Sequence, residues 1–342
     1  MSTERQMVLD TAERIFAGGA TPETMWQQVI EAGLPALLLP EADGGFGGDW
    51  GDAFSLIRLA GYHAVGLPLG EAIIGVALFG SEAISAFDSR VVFAESASGT
   101  LDGGNFTGIL HGVASGRTAR LVLASIAGQT VGLDISGAIV TPGETLAGDP
   151  CDSLEFRAAP ASLCPVPTSL FALGALPRIA QIAGAMDGAL ALAIGHANER
   201  QQFGKPIGKL QAVQQNLAVM AEAAAAVNCA GQAAFQAAGQ ALVSTGGAVK
   251  FDPEFEIAAA KLRANIAVDA GTAIAHQVHG GIGFTQDYAL HRFTRRLYVW
   301  RAEFGNERFW AERLGVLTAV QGGDKLWAYL TARSDLVAMG AA

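Results

Sequence analysis

The chain has 342 residues, 51% hydrophobic and 16% charged, and 22 Lys and Arg stand against 32 Asp and Glu for a formal net charge of −10. That length predicts two or three compact regions around sizeable cores, and the small charged fraction predicts that partners cover part of the surface. The acidic balance disfavours duplex nucleic acid and anionic membranes, which need a concentrated basic face, but allows a small anion held by one arginine.

From the N-terminus, charges of both signs and the lack of an apolar stretch in MSTERQMVLDTAERIF argue against a secretory signal, so a cytoplasmic location is the expectation. Residues 1–90 read as a helical domain, with apolar residues at helical spacing in Val8, Ala12, Ile15 and Phe16 and again through Trp26, Val29 and Ile30. The turn-rich PEADGGFGGDWGD (40–52) reads as a loop between helices, its glycines permitting positive φ and close backbone packing. Residues 91–162 change character. Short apolar runs at Val91–Phe93, Phe106–Leu110, Leu121–Ser125, Val131–Ile135 and Leu154–Phe156, parted by Gly, Asp, Ser and Pro, predict a small antiparallel β domain. Residues 163–342 return to Ala-rich helices over 168–200, 210–240 and 255–277, as in a four-helix bundle. The apolar run 168–195 is interrupted by Arg178, Gln181 and Asp187 and reads as too polar for a membrane span. Cys151, Cys164 and Cys229 form no C-x-x-C pair, so neither a disulfide framework nor a zinc knuckle is expected.

Two segments carry chemistry. NERQQFGKPIGKLQAVQQNLAVMAE (198–222) offers Arg200, a permanent planar cation suited to a pyrophosphate, Phe203, able to pack on an adenine if the turn is helical, and Gln211, able to donate and accept. HQVHGGIGFTQDYALHRFTRR (276–296) offers Gln277 and the backbone of Gly280 and Gly281, where a ligand can approach main-chain N–H groups. Singly, each has a plain structural reading: a solvated arginine, a core phenylalanine, a turn glycine. No strand-turn-helix surrounds 280–283, which excludes a dinucleotide-binding crossover. His276 and His279 have no third ligand at metal spacing, so no metal is expected.

Together these segments resemble the paired signatures of the acyl-CoA dehydrogenase family: R-x-x-F-G with Gln eight residues after the Phe, then Q-x-x-G-G-x-G before an Arg-rich helix. PEADGGFGG resembles the family's N-terminal loop and LAGDPCDSLEF its last middle-domain strands, so the likeness covers nearly the whole chain. It implies a mainly α fold with a small β insert, and an FAD site shared between subunits. Arg200, Phe203, Gln211, Gln277, Gly280 and Gly281 would serve a neighbour's FAD, with Gln202 and Asn306 as further members. It also implies an acyl-CoA substrate, an electron-transfer acceptor protein, and a second copy or a related subunit as partner.

The sequence departs from the family in two places. The middle domain lacks the aromatic-Ile/Val-Thr segment that covers the flavin; its nearest match is HGVASGRTARLVLAS (111–125), with Ser115 in place of a threonine. The family's catalytic Glu aligns with Phe304 in WRAEFGNERFW (300–310), with Glu303 one place earlier, and the alternative position on the preceding helix falls in ALGALPR (172–178), which has no carboxylate. Phe304 cannot accept a proton, and a helical Phe304 facing inward would turn Glu303 away, toward Arg301 or Arg308. Two functions are compatible with this. One is a dehydrogenase with Glu303 as base, making a 2-enoyl-CoA in fatty acid or steroid degradation. The other is a non-catalytic subunit that completes a partner's FAD site; a flavin oxidase is a further alternative.

Overall fold

The computed structural model describes residues 3–166, 168–243 and 252–339. Five helices come first: α1 (Thr3–Ala17), α2 (Pro22–Glu31), α3 (Trp50–Tyr62), α4 (Leu69–Phe79) and α5 (Ser81–Ser85). Their starts are written locally. Thr21 caps α2 by accepting from the Thr24 amide with Pro22 in the first turn, and Asp49 and Asp52 form a reciprocal capping box on α3.

Seven strands follow: β1 (Val91–Phe93), β2 (Ser96–Asp102), β3 (Asn105–Ala114), β4 (Leu121–Ile126), β5 (Gln129–Asp134), β6 (Ile139–Thr141) and β7 (Cys151–Leu163). They form a sheet of order β1-β4-β5-β7-β3-β2, with β6 on β7. β7 passes from β3 and β6 at one end to β5 at the other, and Ala158 takes positive φ where it bends. This curled sheet encloses its own core of Val92, Phe106, Leu110, Val122, Leu133, Leu154 and Phe156. One expectation is corrected: the sheet is not wholly antiparallel. β1 follows α5 and pairs with β4 in parallel, and α4 packs on it through Gly75 against Val91.

The C-terminal bundle holds α6 (Leu170–Glu199), a two-residue hairpin of β8 (Gln201–Gln202) and β9 (Lys205–Pro206), then α7 (Gln211–Val243), α8 (Glu254–His279), α9 (Leu290–Ala302), α10 (Glu307–Gln321) and α11 (Leu326–Met339). Ser169 caps α6 through the Ala172 amide. α6 packs on α3, α7, α8 and α9, and one continuous apolar core unites it with the N-terminal helices. Gly184 makes the α3 crossing possible, since a Cβ there would stand 1.8 Å from the Arg58 carbonyl oxygen. By length and composition α6 and α7 do qualify as membrane spans, correcting the reading of 168–195 as too polar. Burial identifies α6 as a core helix instead: residues from Leu170 to Ala197 line the protein interior.

Candidate functional site

Two clusters bear on function, at different ends of α6. The first lies where the last turn of α6, the start of α7 and the last turn of α8 meet. Ala193 and Ala197 of α6 and Val278 of α8 form a small core there, with Ile207, Val213, Leu217 and Ile274 packed on it. This contact sets Arg200, Gln211, Gln277, Gly280 and Gly281 at one end of the bundle. All five are exposed. The Arg200 side chain has no hydrogen-bond or ion-pair partner among the described residues, so its guanidinium is free to meet an anion.

The expected helical turn from Arg200 to Phe203 is not formed. Arg200 ends α6 in an extended conformation, and the β8–β9 hairpin returns the chain so that the Ile207 amide donates to the Arg200 carbonyl. Phe203 sits on the hairpin with φ 54°, an uncommon conformation for a bulky residue, and its ring is 87% exposed. An aromatic ring held out of the core in a strained turn is available to stack on a ligand. Gln202 shares the exposed hairpin. Gly280 adopts φ 62° and ψ −143°, a region essentially reserved for glycine, and a Cβ on Gly281 would meet nothing within 4 Å. These residues suit the pyrophosphate, aromatic ring and ribose or ribitol hydroxyls of FAD. Asn306 is a helix cap, its side-chain oxygen accepting from the Phe309 amide at 3.1 Å to begin α10.

The second cluster is buried where α4, α6 and the α9–α10 turn converge. Arg178 lies within it: Nη2 donates to Glu71 Oε1 at 2.5 Å, Nη1 donates to Gln181 Oε1 at 2.8 Å, and Nε lies 2.5 Å from Glu303 Oε2. Burial works against the Arg178 cation, yet Glu303 and Glu71 hold its pKa above the ordinary arginine value. Burial pushes the Glu303 carboxyl above its usual range, against the attraction of Arg178.

The helical geometry expected around Glu303 is overturned. α9 ends at Ala302, Glu303 is extended (ψ 140°), and Phe304 takes φ 51°, so both side chains turn inward. Glu303 meets Arg178, while Arg301 pairs with Asp269 and Glu307 and Arg308 pairs with Glu312. The Phe304 ring lies against Gly174 of α6, its amide donates to Glu95 Oε1 at 3.1 Å, and its carbonyl accepts from Trp310 Nε1 at 2.9 Å. The two alternative base positions of the family, on α6 and at 303–304, therefore converge in space, and Arg178 fills the gap between them. Sequence reasoning missed Arg178 as a functional candidate; its signal was a lone cation in an otherwise apolar helix.

Beside this cluster is a cavity of about 20 Å³, lined among others by Glu71, Ala114, Asp149, Arg178, Trp300 and Glu303. It holds about one water, far below the roughly 300 Å³ at which ligand sites begin. Arg296 pairs with Asp149 at 2.5 Å at its edge. The segment that matched the flavin-covering strand is also committed elsewhere. Ser115 is buried in a left-handed turn, and Arg117 chelates the buried Asp152 through Nε and Nη2. Burial opposes the Asp152 charge, but the Arg117 and backbone N–H bonds hold its pKa below the usual range. The bundle-end residues carry groups that suit FAD, whereas the cavity beside Glu303 has room for about one water.

A helical N-terminal layer, a curled β insert and a long-helix bundle define the acyl-CoA dehydrogenase fold. Residues 165–313 match the C-terminal domain of acyl-CoA dehydrogenases. Acyl-CoA dehydrogenase IpdE2 of Mycobacterium tuberculosis is 28% identical over 86% of this chain and 91% of its own length. The structure of the ChsE4-ChsE5 complex from Mycobacterium tuberculosis matches with a TM-score of 0.76 at 22% identity, over 93% of this chain and 98% of that chain. An acyl-CoA dehydrogenase complexed with FAD from Bacillus anthracis matches with a TM-score of 0.77 at 16% identity, over 94% of this chain and 68% of that chain. The C-terminal part of the chain therefore matches the acyl-CoA dehydrogenase C-terminal domain, and the whole chain has the acyl-CoA dehydrogenase fold.

Proposed function

We propose that this chain is the non-catalytic, cofactor-completing subunit of a heteromeric acyl-CoA dehydrogenase. The observation that carries the reading is the placement of Arg178: it closes the one region where both family base positions meet and leaves about 20 Å³ beside Glu303. Arg178 and Arg200 stand 22 residues apart on α6 and at its end, which at a 1.5 Å rise is about 33 Å. Arg200, Gln202, Phe203, Gln211, Gln277, Gly280 and Gly281 therefore lie too far from this chain's own β domain to complete a site within it, and they serve a flavin held by a related subunit. When bound, FAD supplies the redox chemistry by accepting a hydride from the β-carbon of the acyl-CoA. This chain's residues hold the pyrophosphate, present an aromatic face and shield the site from water. The partner supplies the base and a complete β domain, and an electron-transfer protein reoxidises the flavin.

The units 1–90, 91–162 and 163–342 are our working division, and a cytoplasmic assembly without a membrane span is part of the same reading. A catalytic alternative rests on Glu303, whose raised pKa suits a general base; its ion pair with Arg178 and the closed space around it count against that role. The direct test is FAD per purified assembly for wild type and Arg200→Ala, with folding followed by circular dichroism. Loss of a charge-assisted contact lowers FAD retention on the order of tenfold or more. Unchanged FAD content returns Arg200 to a solvated surface charge.

A further inference from the structure

Three aromatic polar side chains behind the bundle end belong to none of the contacts described so far. His279 is buried at the last turn of α8, one residue before Gly280. Its Nδ1 lies 2.7 Å from the Ala275 carbonyl oxygen, which can only accept, so Nδ1 carries the proton. Nε2 is then the acceptor for the Tyr288 hydroxyl at 3.2 Å. On its other side the imidazole stacks on His196 of α6, centroid to centroid 4.8 Å with planes 28° apart, and His196 meets Tyr288 edge-on at 6.2 Å. His196 lies one turn before Arg200, whose amide donates to its carbonyl.

We infer that the His196–His279–Tyr288 network is the positioning device of the FAD half-site, holding Gln277, Gly280 and Gly281 in register with Arg200. The inference rests on the half-site reading above. The three side chains add a polar and aromatic link between elements whose other contact there is apolar, through Ala193, Ala197 and Val278 with Ile207, Val213, Leu217 and Ile274 packed on them. His279 is buried, and the half-buried His196 and Tyr288 are engaged with it by stacking and a hydrogen bond, so the three act through the residues they fix.

The network is built for neutral rings. His279 already uses both nitrogens, one as donor and one as acceptor, so a second proton removes the acceptor that Tyr288 needs. Two imidazolium rings at 4.8 Å repel each other. The charged groups around the pair are Arg200 and Glu199 at the end of α6 and His276 on α8; Arg200 and His276 oppose protonation and Glu199 favours it. Burial, the largest cause, holds both imidazoles below the ordinary histidine value. The half-site is therefore in register at neutral pH and loosens under mild acid.

The test uses the purified FAD-loaded assembly containing the full chain, with wild type, Tyr288→Phe, His279→Phe, the control His63→Gln at the end of α3, and Arg200→Ala in parallel. FAD retained after dilution is read by flavin absorbance between pH 5 and pH 8. Wild type and His63→Gln lose FAD as pH falls below about 6.5. At pH 7.5 Tyr288→Phe retains FAD about 2- to 10-fold less well, the effect of one neutral hydrogen bond. His279→Phe keeps a ring for His196 to stack on, but flattens the acid limb. If His279→Phe fails to fold, Tyr288→Phe, which lacks a single hydroxyl, carries the test. Wild-type retention and an unchanged acid limb in the folded variants, with FAD lost in Arg200→Ala, overturn the positioning role alone. FAD unchanged in Arg200→Ala overturns the half-site reading and this inference together.

Discussion

Arg178 is buried between two carboxylates, so its contribution depends on which partner is removed. Arg178→Met leaves Glu71 and Glu303 facing each other without a counter-ion, and a broken buried pair costs about 3–5 kcal/mol. Urea unfolding of the chain is the measurement, and a loss below about 1 kcal/mol would contradict the buried-triad description. Glu303→Gln is much milder, because Glu71 and Gln181 still satisfy the guanidinium. The same substitution keeps the shape of the side chain while removing its ability to take a proton. In the assembled enzyme, turnover is therefore unchanged by Glu303→Gln in this chain if the completing role holds.

At the scale of elements, the α9–α10 turn shows how local sequence and tertiary demand interact. Lys261, fully buried on α8, donates to the carbonyl oxygens of Trp300 and Gly305 at 2.8 and 3.2 Å, to that of Arg301 at 3.1 Å and to Asn265 Oδ1 at 2.8 Å. Burial pulls its pKa down to about 7. It occupies the C-terminal end of α9, where a cation meets the free carbonyls, and so fixes the turn that points Glu303 and Phe304 inward. Lys261→Met strands these oxygens and lowers stability by roughly 3 kcal/mol, measured by urea unfolding with Trp300 and Trp310 as near-ultraviolet reporters. The histidines set a second dependence at this scale. His196, His276 and His279 have folded pKa values below the ordinary value near 6.5, burial being the first cause, so the unfolded chain binds more protons just below that pH. Their contribution is complete above about pH 6.5 and is lost as pH falls through the folded values. Unfolding free energy against pH checks this, and His196→Phe/His279→Phe has the shallower acid limb.

Helix and strand periods were legible because each element buries one face: the three long helices are found at 170–199, 211–243 and 254–279, near the expected 168–200, 210–240 and 255–277. Strands β2 and β6 were not legible, since both lie largely exposed, β2 lacks an apolar run and β6 is only three residues long. The bundle-end residues were legible as a motif. The Glu303–Arg178 pair was not, because it joins positions 125 residues apart through a left-handed Phe304 that no local propensity predicts.

For the whole molecule, the two clusters lie about 33 Å apart along α6, and the proposed function makes the exposed one half of an FAD site. Such a chain binds FAD through an interface, and closed symmetric assembly is the usual solution. Light scattering at micromolar concentration is expected to give a dimer or a tetramer of dimers; an FAD-bearing monomer would contradict the shared site. The most direct measurement is flavin bleaching by an acyl-CoA under anaerobic conditions, made on this chain alone and after co-expression with a related subunit that carries the catalytic Glu. The account predicts no bleaching by this chain alone and bleaching in the complex, unaffected by Glu303→Gln. Bleaching by the chain alone that Glu303→Gln abolishes would contradict it and make this chain the catalytic subunit.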